Sequence, residues 1–254
     1  MDILWEDLKL GAIPFPLEVP GYGDTAEERA RIRTAVYGQL ESRGLAHSGR
    51  PTSGLATALR LLAAPNISID LVALARLEDP QPIRAVVGAR GKNAVLAVQS
   101  RLVTVSVLRE TQIVGSIVNL LPPNRSGPGQ SISLPASLLG DQPAPRAGRH
   151  RAAPARGVLS TATRPADHAT ELRFLQAVLE RPLIRAGTIG VLLRDEHGKI
   201  QRLPGIGFFD TDQGRYTTTS LRGPDGEDWT TLSPTDNARL THRLTETLVT
   251  ALRQ

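Results

Sequence analysis

In a chain without cysteine, histidine would have to carry metal ligation or acid–base work without thiolate help. The five histidines fall at positions 47, 150, 168, 197 and 242, and none has a ligand spacing such as His-Glu-x-x-His. His197 sits in Asp195-Glu196-His197-Gly198-Lys199, an acid beside a base, but a polar turn calls for the same residue types. The glycine pairs Gly21-Tyr22-Gly23 and Gly205-Ile206-Gly207 lack the third glycine of a dinucleotide loop. Gly91-Lys92-Asn93 and Gly198-Lys199-Ile200 lack the Walker spacing and its hydroxyl. No serine stands in a Gly-x-Ser-x-Gly elbow. The sequons Asn66-Ile67-Ser68 and Asn124-Arg125-Ser126 matter only in a chain that enters a glycosylating compartment. These residues therefore predict no catalytic, cofactor-binding or metal-ligating set, and a chain that is not an enzyme.

Charge gives the next exclusion. The net charge is +5 and the pI about 10.2, values that invite a nucleic-acid partner. Residues 1–140 carry 14 basic and 12 acidic side chains, and residues 171–254 carry 11 of each. The excess sits in 141–170, where Arg146, Arg149, Arg151, Arg156 and Arg164 face only Asp141 and Asp167. No basic stripe interleaved with aromatics marks a folded nucleic-acid surface. The expectation is no nucleic-acid partner, with a linker-mediated polyanion binder as an alternative. No run of 18 apolar residues predicts membrane insertion. Met1-Asp2-Ile3-Leu4-Trp5-Glu6 carries acids where a signal peptide carries basic residues. The predicted location is the cytoplasm, which the absence of cysteine fits.

The elements divide the chain into an N-terminal half (1–140), a Pro/Ala/Arg-rich linker (141–166) and a C-terminal half (167–254). The two halves are expected to share one domain. Hydrophobic residues make up 40% of the chain and aromatic ones 4%, so the core must be aliphatic. Three prolines force 11–20 to be extended. Thr25 with Glu28 forms a capping box for a helix to about Arg43, closed by Gly44. A second helix follows over 52–62. Segments 67–77, 83–88, 94–99 and 102–107 alternate as an antiparallel meander. A helix over 110–121 stops at Pro122-Pro123, and 131–134 is extended. The second half begins with a helix over 167–180, then strands over 187–193, 200–209, 215–221 and 229–232. Ser233 as N-cap with Pro234 at the first helical position opens the last helix, striped by Leu240, Leu244, Leu248 and Leu252. Meander followed by helix occurs twice, which predicts a mixed α+β fold of two quasi-symmetric halves around a central antiparallel sheet with flanking helices. In so aromatic-poor a chain, Phe208, Phe209, Tyr216 and Trp229 either fill the core between sheet and helix or leave a greasy sheet face open to a partner.

In order along nearly the whole chain, several short segments resemble the EspG family of type VII (ESX) secretion systems. They are Leu4-Trp5, Pro14-Phe15-Pro16-Leu17, 21–28, 40–45, Leu59-Arg60-Leu61-Leu62-Ala63 with Pro65, and Leu120-Leu121-Pro122-Pro123. Gly127-Pro128-Gly129, Leu134-Pro135, 185–190, Asp210-Thr211, Gly214-Arg215-Tyr216, Trp229 and Ser233-Pro234 complete them. The resemblance implies a cytosolic chaperone without cofactor. It would bind the hydrophobic tip of a PPE-like protein in a PE/PPE heterodimer, keep it soluble and target it to its ESX machine. It implies client contacts in the sheet and C-terminal half, with Thr188, Ile189, Phe208, Phe209, Tyr216 and Leu221 as the candidates. Thr188 stands where the family often has glutamine. A small-ligand or lipid-binding module with an enclosed pocket is the other alternative, and the free chain is open between monomer and homodimer.

Overall fold

A computed structural model describes residues 1–79, 81–139, 168–223 and 226–253, so the linker expected over 141–166 and His150 lie outside the described residues. By its contacts the chain divides into Met1–Asp70 with Arg84–Ile113, and Leu71–Ile83 with Val114–Gln254.

In the first unit, α1 (Asp2–Asp7) is followed by the proline-rich stretch 11–20 without helix or strand and then by α2 (Ala26–Ser42). The capping box is present, with Thr25 Oγ1 accepting from the Glu28 N–H at 3.2 Å and Glu28 Oε2 accepting from the Thr25 N–H at 3.3 Å. Arg29 and Arg33 of α2 reach back to Asp2, Glu6 and Asp7 of α1, and the Tyr37 hydroxyl donates to Asp7 at 2.9 Å. A small hairpin, β1 (Ala46–His47) with β2 (Arg50–Pro51), follows. Its turn takes positive φ at Ser48 and Gly49, and two-residue strands carry no period for a sequence to show. Helix α3 (Ser53–Ala63), capped by Thr52, buries Ala56, Ala58, Leu59, Leu61 and Leu62. Strand β3 (Ile67–Leu74) crosses the unit boundary. Then β4 (Ile83–Arg90), β5 (Asn93–Gln99) and β6 (Val103–Arg109) pair antiparallel in sequence order. The core of this unit is aliphatic apart from Trp5 and Tyr37.

The helix expected over 110–121 is shorter: a 3-10 turn at Glu110–Gln112 leads into α4 (Ile113–Val118). In the second unit come β7 (Ile132–Pro135), a 3-10 turn at Ala136–Leu139, and α5 (His168–Leu179). After them follow β8 (Leu183–Arg194), β9 (Ile200–Arg202), β10 (Ile206–Thr211), β11 (Gly214–Arg222), β12 (Asp228–Thr235) and α6 (Asn237–Leu252). The single strand expected over 200–209 is two, because Pro204 and Gly205 interrupt it; both pieces return along β8. Next to β10 lie β11, β12 and β7, all antiparallel. The last helix starts later than expected. Asp236, not Ser233, is its N-cap, accepting from the Arg239 N–H at 2.8 Å. Ser233, Pro234 and Thr235 belong to β12 instead. There β7 has already ended opposite Leu232, so a residue without an N–H breaks no ladder bond on that side.

Register assigns the two faces of the sheet within this second unit. Ile189, Phe208, Arg215, Thr217, Thr219, Leu221 and Trp229 share one face, and Phe209, Tyr216, Leu232 and Leu134 the other. Helix α6 lies on the first face, since Arg215 donates to Asn237 and Arg243 donates to Thr219. Helix α5 covers the second, where Phe174, Leu175 and Val178 pack with Tyr216 and Leu232. The fold class is therefore mixed α+β, with antiparallel strands, flanking helices and a meander-then-helix order in each half.

Candidate protein-binding surface

Three charged strand residues build the most constrained point of the second unit. Asp210 and Arg215 are both fully buried, with Arg215 Nε donating to Asp210 Oδ1 at 2.6 Å and Nη2 to Oδ2 at 2.9 Å. Arg185 adds a bond to Asp210 at 3.0 Å and one to the Ala75 carbonyl at 3.1 Å. Two further Arg215 protons go to the Pro122 carbonyl at 2.9 Å and to Asn237, and the guanidinium stands 5.4 Å from the Phe208 ring centre. Below it, the segment Gly127-Pro128-Gly129 crosses the aromatic rings. A Cβ on Gly127 would lie 2.2 Å from Tyr216 Cζ, and one on Gly129 2.4 Å from Phe174 Cζ. The Tyr216 hydroxyl donates to the Pro128 carbonyl at 3.1 Å, and burial pushes its pKa up. Every oxygen of Asp210 is taken by an arginine, so this node holds strands together and has no free base for catalysis.

The six residues expected at a client surface are sorted by this geometry. Ile189, Phe208 and Tyr216 are buried within the unit, Thr188 and Phe209 are half-buried, and Leu221 is 56% exposed. Phe209 stacks on Tyr216 with centroids 5.5 Å apart, filling the core on the α5 side. Leu221 faces the half-buried Trp229 across the β11–β12 ladder. Sequence reasoning passed over Arg243. It lies on α6, half-buried, and donates from Nη2 to Thr219 Oγ1 at 3.0 Å. Burial lowers its pKa, and among the described residues no carboxylate contributes an opposing pull. Periodicity gave no signal for it, because an arginine beside a leucine stripe is the ordinary composition of a half-exposed helix.

Among the described residues, those singled out for chemistry do not converge. His197 and His242 are exposed, each beside a glutamate of its own segment, and His168 pairs with Glu171 at 2.9 Å. Among the described residues no three His, Asp or Glu side chains are grouped to hold a metal, and no helix is long and apolar enough to cross a membrane. The first unit has an open cleft of about 310 Å³ lined by Trp5, Leu10, Ile13 and Val19, with Asp2, Glu6 and Lys9 at its polar side. Both acids are engaged by Arg29, so neither is left to orient a small ligand there.

The EspG family model matches residues 1–246. The chain belongs to the EspG family. A solved structure from Mycobacterium tuberculosis, the type VII secretion system chaperone EspG5 in complex with the PE25-PPE41 dimer, matches with a TM-score of 0.64. It is 13% identical in sequence, over 97% of this chain and 92% of that one. At that identity the likeness speaks to the fold, and it agrees with the α+β architecture. No curated protein sequence matches the chain. Several EspG-like segments now have a physical reading. Leu121-Pro122, Gly127-Pro128-Gly129, Arg185, Asp210 and Gly214-Arg215-Tyr216 lie far apart in sequence and meet at the buried arginine node.

Proposed function

We propose that this EspG-family chain is a cytosolic type VII secretion chaperone. It binds the apolar tip of a PPE-like protein in a PE/PPE heterodimer, keeps the pair soluble and hands it to its ESX machine. The observation that carries this reading is the family match across residues 1–246. The bound dimer of the solved relative supports the client class. A binding role without catalysis also suits a site whose titratable groups are consumed by structural bonds. Thr188, Ile189, Phe208, Phe209, Tyr216 and Leu221 are proposed as the client region, in two layers. Leu221 contacts the client directly, with Thr188 and Phe209 at the margin, while Ile189, Phe208 and Tyr216 hold the sheet from within. Covering apolar area contributes roughly 25 cal/mol per Å² before association costs are subtracted. Affinity then depends on a few well-placed contacts more than on area.

The test is co-expression of the chain with a PE/PPE pair from the same genome, read by size-exclusion chromatography. A three-chain complex is expected, and Leu221→Asp should weaken it at least about tenfold by placing a charge in the apolar contact. Separate elution of chaperone and heterodimer at micromolar concentrations would remove the reading.

A further inference from the structure

Burying a cation without a counter-charge is costly, and native proteins pair such groups or leave them for a ligand to pair. Two described arginines break this pattern: Arg194, whose Nε is buried without a hydrogen-bond partner among the described residues, and Arg243, which is the one that stands beside the proposed client surface. The other strongly engaged arginines have carboxylates: Arg29 and Arg33 hold Asp2, Glu6 and Asp7, while Arg185 and Arg215 hold Asp210. Among the described residues the Arg243 side chain bonds to the neutral Thr219 hydroxyl alone. The acids of its own helix end are occupied. Asp236 caps the helix and Glu246 lies 3.2 Å from His242. Arg239, one turn earlier, is bonded to Ser126 Oγ at 3.0 Å. The guanidinium is therefore a half-buried positive charge with no carboxylate partner among the described residues, held to the sheet at Thr219.

The neighbourhood is as informative as the charge. Leu221 is two residues beyond Thr219 on the same face of β11, one pleat away at about 6.6 Å along the strand, and is 56% exposed. Thr231 stands opposite Thr219, its hydroxyl bonded to Ser133, and Trp229 stands opposite Leu221, so one hydroxyl holds the cation and an apolar pair lies next along the same face. One guanidinium matches the charge and fork of one carboxylate.

We propose that Arg243 is the charge anchor of the client site: it receives a carboxylate side chain of the bound polypeptide, while an apolar neighbour of that acid rests on Leu221. This rests on the chaperone reading given above. The client segment it selects has an aspartate or glutamate beside its greasy residues, and a tip that is apolar throughout leaves Arg243 unpaired and binds less well. The burial that lowers the pKa of free Arg243 is then compensated on binding, which couples client capture to relief of a cost built into the free chaperone.

The experiment titrates the full chain, Arg243→Leu and Arg243→Lys with a purified PE/PPE heterodimer from the same genome by calorimetry at about 0.15 M salt, and records the Tm of each free variant. Arg243→Leu should weaken binding by about 30-fold or more, as for removal of one partner from a buried interfacial pair. Its own Tm should be unchanged or raised, because an unpaired buried charge has gone. Arg243→Lys should retain part of the affinity. A client Asp or Glu to Ala change that costs the full chain as much, and costs Arg243→Leu nothing, identifies the acid. If Arg243→Leu binds as tightly as the full chain, the anchor is wrong and the chaperone reading stands. If Arg243→Leu loses binding together with a fall in Tm, Arg243 is structural and the anchor is wrong. If the unmodified chain fails to bind, the chaperone reading fails and takes the anchor with it.

Discussion

Arg215 shows how a buried charge can be tolerated in a sheet. Its guanidinium is divided between a carboxylate, a side-chain amide and a carbonyl, so removing one partner leaves the rest uncompensated. Asp210→Asn should destabilise the chain by about 3–5 kcal/mol, the usual cost of orphaning one member of a buried pair. The double change Asp210→Leu with Arg215→Met should cost less than either single change, because no fully buried charge then lacks its opposite and only the partly exposed Arg185 loses a partner. Urea denaturation of the four proteins checks this; additive losses would contradict it. Much of this node was legible as residue types, since the resemblance rests on Asp210, Gly214-Arg215-Tyr216 and Gly127-Pro128-Gly129. Their meeting was not legible, because 88 residues separate Tyr216 from the carbonyl of Pro128 that its hydroxyl reaches. Arg243 was hidden for a related reason: desolvation depends on what packs around a helix, which composition does not record.

Elements were readable where local chemistry decides them. Thr25 and Thr52 cap their helices, and the meander strands fall within a few residues of expectation. Boundaries moved where tertiary pairing outweighed local signals, as when β12 absorbed Ser233 and Pro234. The leucine stripe of α6 is buried at Leu240, Leu244 and Leu248, but Leu252 is exposed at the helix end. The contact of α1 with α2 makes a pH prediction. Burial pushes the Asp2 carboxyl up, but bonds from Arg29 and the Ile3 N–H bring it below its ordinary value. The hydrogen bond from Arg29 likewise draws Glu6 down. Depressed folded values mean that this stabilisation is complete above about pH 4, the ordinary carboxylate range, and is lost as pH falls through the folded values. In a Trp229→Phe background, emission from the buried Trp5, whose indole N–H donates to the Gly11 carbonyl at 3.0 Å, should shift to longer wavelength below about pH 4. Arg29→Gln should move that transition to higher pH. An identical profile with and without Arg29 would contradict the role given to this clamp.

For the whole molecule, charge distribution separates the two activities considered for the chain. The +5 arises mainly from 141–170, while 171–254 is neutral. Excision of 143–165 should abolish any salt-sensitive retention on polyanions and leave client affinity within about twofold. Lost client binding after the excision would show that the segment belongs to the site. The central claim is that a second polypeptide occupies the exposed end of the β11–β12 face beside α6. Amide hydrogen exchange of the free chain and of its complex with a PE/PPE heterodimer tests this most directly. The account predicts slower exchange on binding across 218–222, 228–232 and the C-terminal turns of α6, with 26–63 unchanged. Protection confined to 1–63, or no difference between free and bound protein, would contradict it.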